Sequence, residues 1–424
     1  MHTPDTAQPS VTARPAVTSL ATDWPVAGQV KSSLHTTFDG LDHFREEWDE
    51  AVSRLGGSIY MTYDWLKTWW NFYGHRRELR LLVFRVNDDI VGLIPLYLDR
   101  LGIWPLRLKV ARLVGANIPP KVFNPPIHEA WAKDIFRSAL QVLFGKEAVD
   151  VLSYGPVSEL HEPSVALPRA CSGLSGRVTH TTDLGEVHSV FSLPASLEDY
   201  FDGLSRSERK KRRHELQILQ KECHTKVDVV SDPARLAEEF ERFAEQHTAQ
   251  WQSAGKLGHF GAWPKGKEYN AALVQAQGAR GRVRFVRIVT DSRVISSQYV
   301  FAFGDTYFAE LPSRAIGPGW ERLSLGAAGM IRTIESAIQE GKQRLEAGLG
   351  HYEYKLKMGA REHTVRTVRV VANQPASWIR RSLFNILRLG LRYGYHRIWY
   401  SRIMPRLPKC FRSSQWNLWL RYDF

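Results

Sequence analysis

Cysteine is nearly absent from this chain: 424 residues hold three, Cys171, Cys223 and Cys410, at unpaired spacings. That argues against a disulfide framework and a Cys-based zinc site. The fifteen histidines are dispersed with no His-x-x-x-His, so no metal is expected. No run of about 18 uncharged apolar residues exists to form a spanning helix. The first residues also lack the basic start and apolar block of a secretory signal, so a cytoplasmic location is the expectation. A Gly-x-Ser-x-Gly elbow is missing too, and with isolated cysteines this points away from a Ser or Cys acyl-enzyme. Acidic residues are scarce at one end only. Residues 375–424 carry ten Lys/Arg against Asp423 alone, a surplus of nine out of the chain's net +13.

What is present, 43% apolar and 24% charged residues, suits a folded chain of two or three domains. Residues 1–30 are Thr-, Ala-, Pro- and Ser-rich without periodicity and read as a disordered leader. Two α/β halves follow, 31–190 and 191–374, giving a mixed α/β (α+β) fold. In each, helical patterns precede a strand, a tight acidic turn and a second strand: LLVFRVNDDIVGLIPLY in the first, RFVRIVTDSRVISSQYVF in the second. One plan is used twice. Helices are expected at Met61–Phe72, Leu197–Cys223, Pro233–Ala254 and Glu321–Gly341, and a closing strand at Thr364–Val371. In the tail, 375–424, Trp378, Trp399, Trp416 and Trp419 alternate with arginines. An anionic membrane surface, packing on the protein's own body, and another partner are the three readings, with nucleic acid the least favoured.

The most informative string is Arg314-Ala315-Ile316-Gly317-Pro318-Gly319, between the strand-like Thr306–Leu311 and a helix. Glycines at a helix N-terminus let an anion approach unpaired N–H groups, so this order reads as a phosphate cradle; an ordinary glycine-proline bend is the alternative. Gly317 through Trp320 would supply the N–H groups, with Arg314 or Arg322 near phosphate. The basic helix holding Arg209 and Arg213 one turn apart is either a solvated face or a seat for an anionic acceptor.

Strand, Arg-x-x-Gly-x-Gly, helix resembles the acyl-CoA-binding signature of the GNAT acyltransferases. With LSRSERKKRRHELQ, Trp251 and EAGLGHYEYKLKMG, the chain resembles the BioF2-like (CelD type) acetyltransferases, relatives of the FemAB peptidoglycan transferases, over roughly residues 35–372. The resemblance implies two tandem GNAT-like domains, 31–190 degenerate and 191–374 catalytic, using acetyl-CoA or another acyl-CoA as co-substrate. The acceptor would be a small or lipid-linked sugar from envelope polysaccharide or cellulose production. Direct acyl transfer needs a proton acceptor and a group to protonate the leaving thiolate. Glu310 and Glu346 are the candidate bases, and Glu310 can instead pair with Arg314. Tyr352 and Tyr354 are the candidate acids. Lys355, Gln298 and Trp251 are expected to hold substrate, Lys355 as an unburied cation. The first half offers only Leu113-Val114-Gly115-Ala116-Asn117 at the loop position, with one glycine. The alternatives are a FemAB-like aminoacyl-tRNA-dependent transferase and a non-catalytic scaffold at the membrane.

Overall fold

The computed structural model describes residues 18–19, 30–116, 119, 121–174, 176–291 and 293–408. Most of the expected leader, and the tail beyond 408 with Trp416 and Trp419, lie outside the described residues. Thirteen strands form one sheet: β1 Thr18–Ser19, β2 Lys31–His35, β3 Glu78–Val86, β4 Asp89–Leu101, β5 Leu108–Leu113, β6 Val151–Ser158 and β7 Val178–Ser192 from the first half, then β8 Lys226–Val230, β9 Val283–Val289, β10 Val294–Phe303, β11 Thr306–Arg314, β12 Arg344–Leu349 and β13 Arg361–Ala372. The helices are α1 Arg45–Arg54, α2 Tyr63–Tyr73, α3 Ala132–Gln141, α4 Ala166–Ser172, α5 Leu197–Asp202, α6 Arg206–Cys223, α7 Pro233–Ser253, α8 Gly258–Ala262, α9 Gly266–Gly278, α10 Leu325–Gln339, α11 Glu353–Lys357 and α12 Pro375–Tyr393.

The sheet order, β1-β2-β3-β4-β5-β6-β13-β7-β12-β11-β10-β9-β8, shows the duplication. From β2 to β7 and from β8 to β13 the connectivity is alike: a first strand, helices (α1 and α2 in the first half, α7 to α9 in the second), an antiparallel hairpin, a further strand, a helix, a parallel partner strand, a short helix and a closing strand. The halves exchange closing strands. β13 of the second half sits between β6 and β7, paired with β7 from Arg361↔Val190 to Ala372↔Val178, while β7 pairs onward to β12. Both halves are therefore sewn into one hydrogen-bonded sheet.

Local chemistry explains the elements. β4 (DIVGLIPLYLDRL) is buried at nearly every position, as a strand covered on both faces must be. On α2, Trp65, Trp69 and Tyr73 recur every four residues and are buried, whereas Lys67 and Asn71 on the other side are not fully covered. Removing Trp65 or Trp69 to Ala would cost about 3–5 kcal/mol. Ser205 caps α6, its Oγ accepting from the N–H of Glu208 at 3.3 Å, and Asp232 caps α7 with Pro233 in its first turn. The sequence expectation of one helix over Leu197–Cys223 is corrected here. Gly203 through Ser205 break it into α5 and α6, because the cap residue must leave helical geometry. Likewise α10 begins at Leu325 rather than Glu321, since Gly317 (φ +104°) and Gly319 (φ +91°) hold the preceding residues in turns.

Candidate active site

In each half two strands run parallel for a few residues and then part. β11 pairs with β12 only from Thr306↔Arg344 to Phe308↔Glu346, yet the strands continue to Arg314 and Leu349. A slot opens beyond Phe308 and Glu346. In the first half β5 and β6 pair from Val110↔Val151 to Arg112↔Ser153, and the corresponding opening is filled by the chain itself. Phe123 bridges Val157, its N–H donates to Pro156 O at 2.8 Å, and it is fully buried. Even a Cβ on Gly115 would stand 3.0 Å from the Phe123 ring. The open slot belongs to the second half.

Its walls carry charge. Tyr299 pairs with Leu311 and Val300 with Ala309, leaving Glu310 as an extra residue on β11, a bulge of the kind that re-aims a side chain. One Glu310 oxygen accepts from the ammonium of Lys121, which comes from the first half next to Phe123; the other is buried without a partner. Lys121 also lies 5.6 Å from the ring centroid of Tyr60, which meets Phe308 and Phe123 edge-on at 5.5 and 6.1 Å. Glu346, opposite Phe308, faces the same space. Burial pushes its carboxyl up to about 7, with Arg344 alone pulling it down. Burial first, and then the charges of Glu310 and Glu346, drive the Tyr60 phenol well above its usual value.

A histidine pair stands beside this slot. His247 Nδ1 is 2.8 Å from the carbonyl oxygen of Pro312, which only accepts, so that nitrogen carries the proton. Its Nε2 then accepts from His259 Nδ1 at 3.1 Å, and the neutral His259 keeps a bare lone pair on Nε2. Burial lowers both to about 4, with the charge of Lys121 adding to the shift at His259. Trp251 packs 5.2 Å from His259, and its buried indole N–H has no partner.

The glycine loop closes the end of β11. The N–H of Ala315 donates to Ile295 O on β10, and those of Trp320 and Leu323 donate to Gly317 O and Trp320 O inside the segment; at Gly317, Gly319 and Gly326 an added Cβ would meet nothing within 4 Å, so the backbone there is open to a close approach. That geometry fits a phosphate group. Arg314 is exposed, and its backbone N–H is held by Gln250 at 3.0 Å; its pairing with Glu310 is replaced by Lys121. Arg322 pairs with Glu222 at 2.6 Å, and Trp320 takes the Arg293 guanidinium over its ring at 4.3 Å.

Other expected residues divide. Tyr352 and Tyr354 are half-exposed beside each other, ring centroids 5.9 Å apart, and burial plus Tyr352 raises the Tyr354 phenol. Lys355 corrects the expectation of an unburied cation. It is buried, donates to Ala347 O at 2.6 Å, sits 4.5 Å over the Tyr352 ring, and is lowered to about 8 by desolvation. Gln298 is also displaced: it lies under α10 against Gly329, on the sheet face opposite Glu310. Arg209 and Arg213 are occupied by Asp202 and Glu198, and the buried Arg212 by Glu208 and Glu215. The basic run is largely neutralised by its own neighbours. Sequence reasoning missed Tyr60, Lys121, His247 and His259. Only Lys121 left a signal, through the prolines on both sides of it in PPKVFNPP.

Residues 206–356 match the family model described as Acetyltransferase (GNAT) domain. No curated protein matches the chain. Among solved structures, FemX shares 10% identity at a TM-score of 0.57, covering 76% of this chain and 95% of its own. L-PGS from Bacillus licheniformis has 10% identity and a TM-score of 0.49 over 79% and 94%. A tandem GNAT protein from the clavulanic acid biosynthesis pathway has 11% identity and a TM-score of 0.38 over 82% and 99%. At such identities the likeness is one of fold, and of these three the superposition on FemX is close enough to carry it. Residues 206–356 are thus an acetyltransferase (GNAT) domain, set in a chain whose fold is shared with FemX and whose architecture repeats twice.

Proposed function

We propose that the second half moves an acyl group, acetyl in the simplest case, directly from CoA to an amine or hydroxyl of an envelope or exopolysaccharide precursor. The observation that carries this reading is the slot between β11 and β12, with the glycine loop at its end and Glu346 at the point where the strands part. An acyl-CoA bound there supplies an activated thioester carbonyl. The N–H groups of Gly317 and Gly319 bind its phosphates, and Arg314 screens their charge. Glu346, held near 7, takes the acceptor's proton at neutral pH. Tyr354, kept protonated by its raised phenol, gives a proton to the departing sulfur. Glu310, fixed by Lys121, orients the acceptor. His259, with a bare Nε2, and Trp251 form the acceptor's other wall.

A second reading, transfer from aminoacyl-tRNA, is favoured by the fold shared with FemX and opposed by the neutralised basic helix. We place the protein at the cytoplasmic face of the membrane through residues 375–424. The test is thiol release from acetyl-CoA and longer acyl-CoAs across a panel of amino-sugar nucleotides. Release with none of them, together with consumption of a charged tRNA, would replace the first reading by the second.

A further inference from the structure

The chain after β13 does not trail away. Arg380 Nε pairs with Asp150 at 3.0 Å, and Phe384 is buried among Leu101, Leu108, Val110 and Val151, so α12 docks on the end of the β4–β5 hairpin. That contact brings two apolar features side by side. The hairpin turn emerges next to Phe384, where a Cβ added to Gly102 would stand 3.9 Å from that ring, and presents Ile103 (74% exposed), Trp104 (76%) and Leu106 to solvent. On α12 the positions opposite Phe384 are apolar and exposed: Ile379, Ile386 (67% exposed) and Leu389. The row from Ile379 to Leu389 runs about 15 Å along the 19-residue helix. Apolar side chains this exposed are uncommon on a free surface and mark an interaction site.

We infer that the Ile103–Leu106 turn and the outer face of α12 form one docking surface for an anionic lipid bilayer, with both elements entering the headgroup boundary together. This extends, and rests on, the peripheral placement proposed above. Charge selects the occupant. Residues 375–408 contain seven arginines and no acidic residue, a pattern that complements anionic headgroups. The chain's own residues 409–424 are net basic, with Lys409, Arg412 and Arg421 against Asp423, and a second copy would bring the same arginines. Either would set like charges face to face. Trp104 has the amphipathic ring that suits the headgroup level.

The full chain is sedimented with vesicles of phosphatidylcholine alone and with about one-third phosphatidylglycerol. Two variants are run alongside, Ile103→Ser with Trp104→Ser, and Ile386→Glu with Leu389→Glu. Wild type is expected to pellet with the anionic vesicles in a salt-sensitive way. Each variant should weaken partitioning by about tenfold or more, with thermal melting unchanged because the replaced side chains are exposed. Wild type remaining in the supernatant would overturn both the peripheral placement and this surface. Wild type pelleting equally with the turn variant would overturn the shared surface and leave the tail. Dimerisation without lipid, abolished by the α12 variant, would assign the face to a second copy and overturn the lipid assignment.

Discussion

In the proposed transfer Glu346 is the base. Its carboxyl is raised to about 7, so its ionised form gains population as pH rises through neutrality, and kcat/KM should rise with it. Glu346→Gln is expected to lower kcat by about 10²–10⁴ and to erase that limb of the pH profile; a retained limb would move the base elsewhere. The same shift has a stability sign. A carboxyl raised above its unfolded value is neutral in the fold below about 7 and must ionise against burial above it, so stability falls as pH climbs from the unfolded value through 7. Glu346→Gln should therefore melt higher than wild type at pH 8 and level with it or lower at pH 5, compared by calorimetry. Lys121 carries a separate prediction. Lys121→Ala leaves Glu310 buried and unpaired and should cost about 3–5 kcal/mol in chemical denaturation, while Lys121→Met with Glu310→Gln should recover most of it.

At the scale of elements, the glycine loop makes its own test. Gly317 sits at φ +104° with open space around its missing Cβ, so Gly317→Ala disturbs backbone conformation without a clash. Affinity for acyl-CoA should fall about tenfold while the core melts as before. The sequence made this element legible because Arg314 to Gly319 follows a recognisably alternating strand. It also made α7, α10 and the β9–β10 and β3–β4 hairpins legible, since their apolar spacing follows one burial pattern. It did not reveal β7. VTHTTDLGEVHSVFS is polar and exposed over much of its length, and what makes it a strand is β13 on one side and β12 on the other, partners remote in sequence. The Lys121 contact to Glu310 was hidden for the same reason, whereas the Glu310 bulge and the His247–His259 pair lie within neighbouring segments and leave no residue pattern that marks them.

For the whole molecule, the exchange of β7 and β13 makes the two halves one folding unit. Residues 193–374 alone would lack β7, leaving β12 and β13 without the strand that joins them. This fragment is expected to be insoluble or to melt without cooperativity. The first half, its own slot closed by Phe123, contributes Tyr60 and Lys121 to the open slot of the second, so duplication here has yielded one site built from two copies. Binding of acyl-CoA by the slot and loop of the second half is decided by calorimetric titration of the full chain with acetyl-CoA and longer acyl-CoAs. Wild type should bind one equivalent, and Gly317→Glu, which sets a carboxylate in the phosphate cradle, should abolish binding while the chain still unfolds cooperatively. Absence of binding to any acyl-CoA, or binding that Gly317→Glu leaves intact, would contradict it.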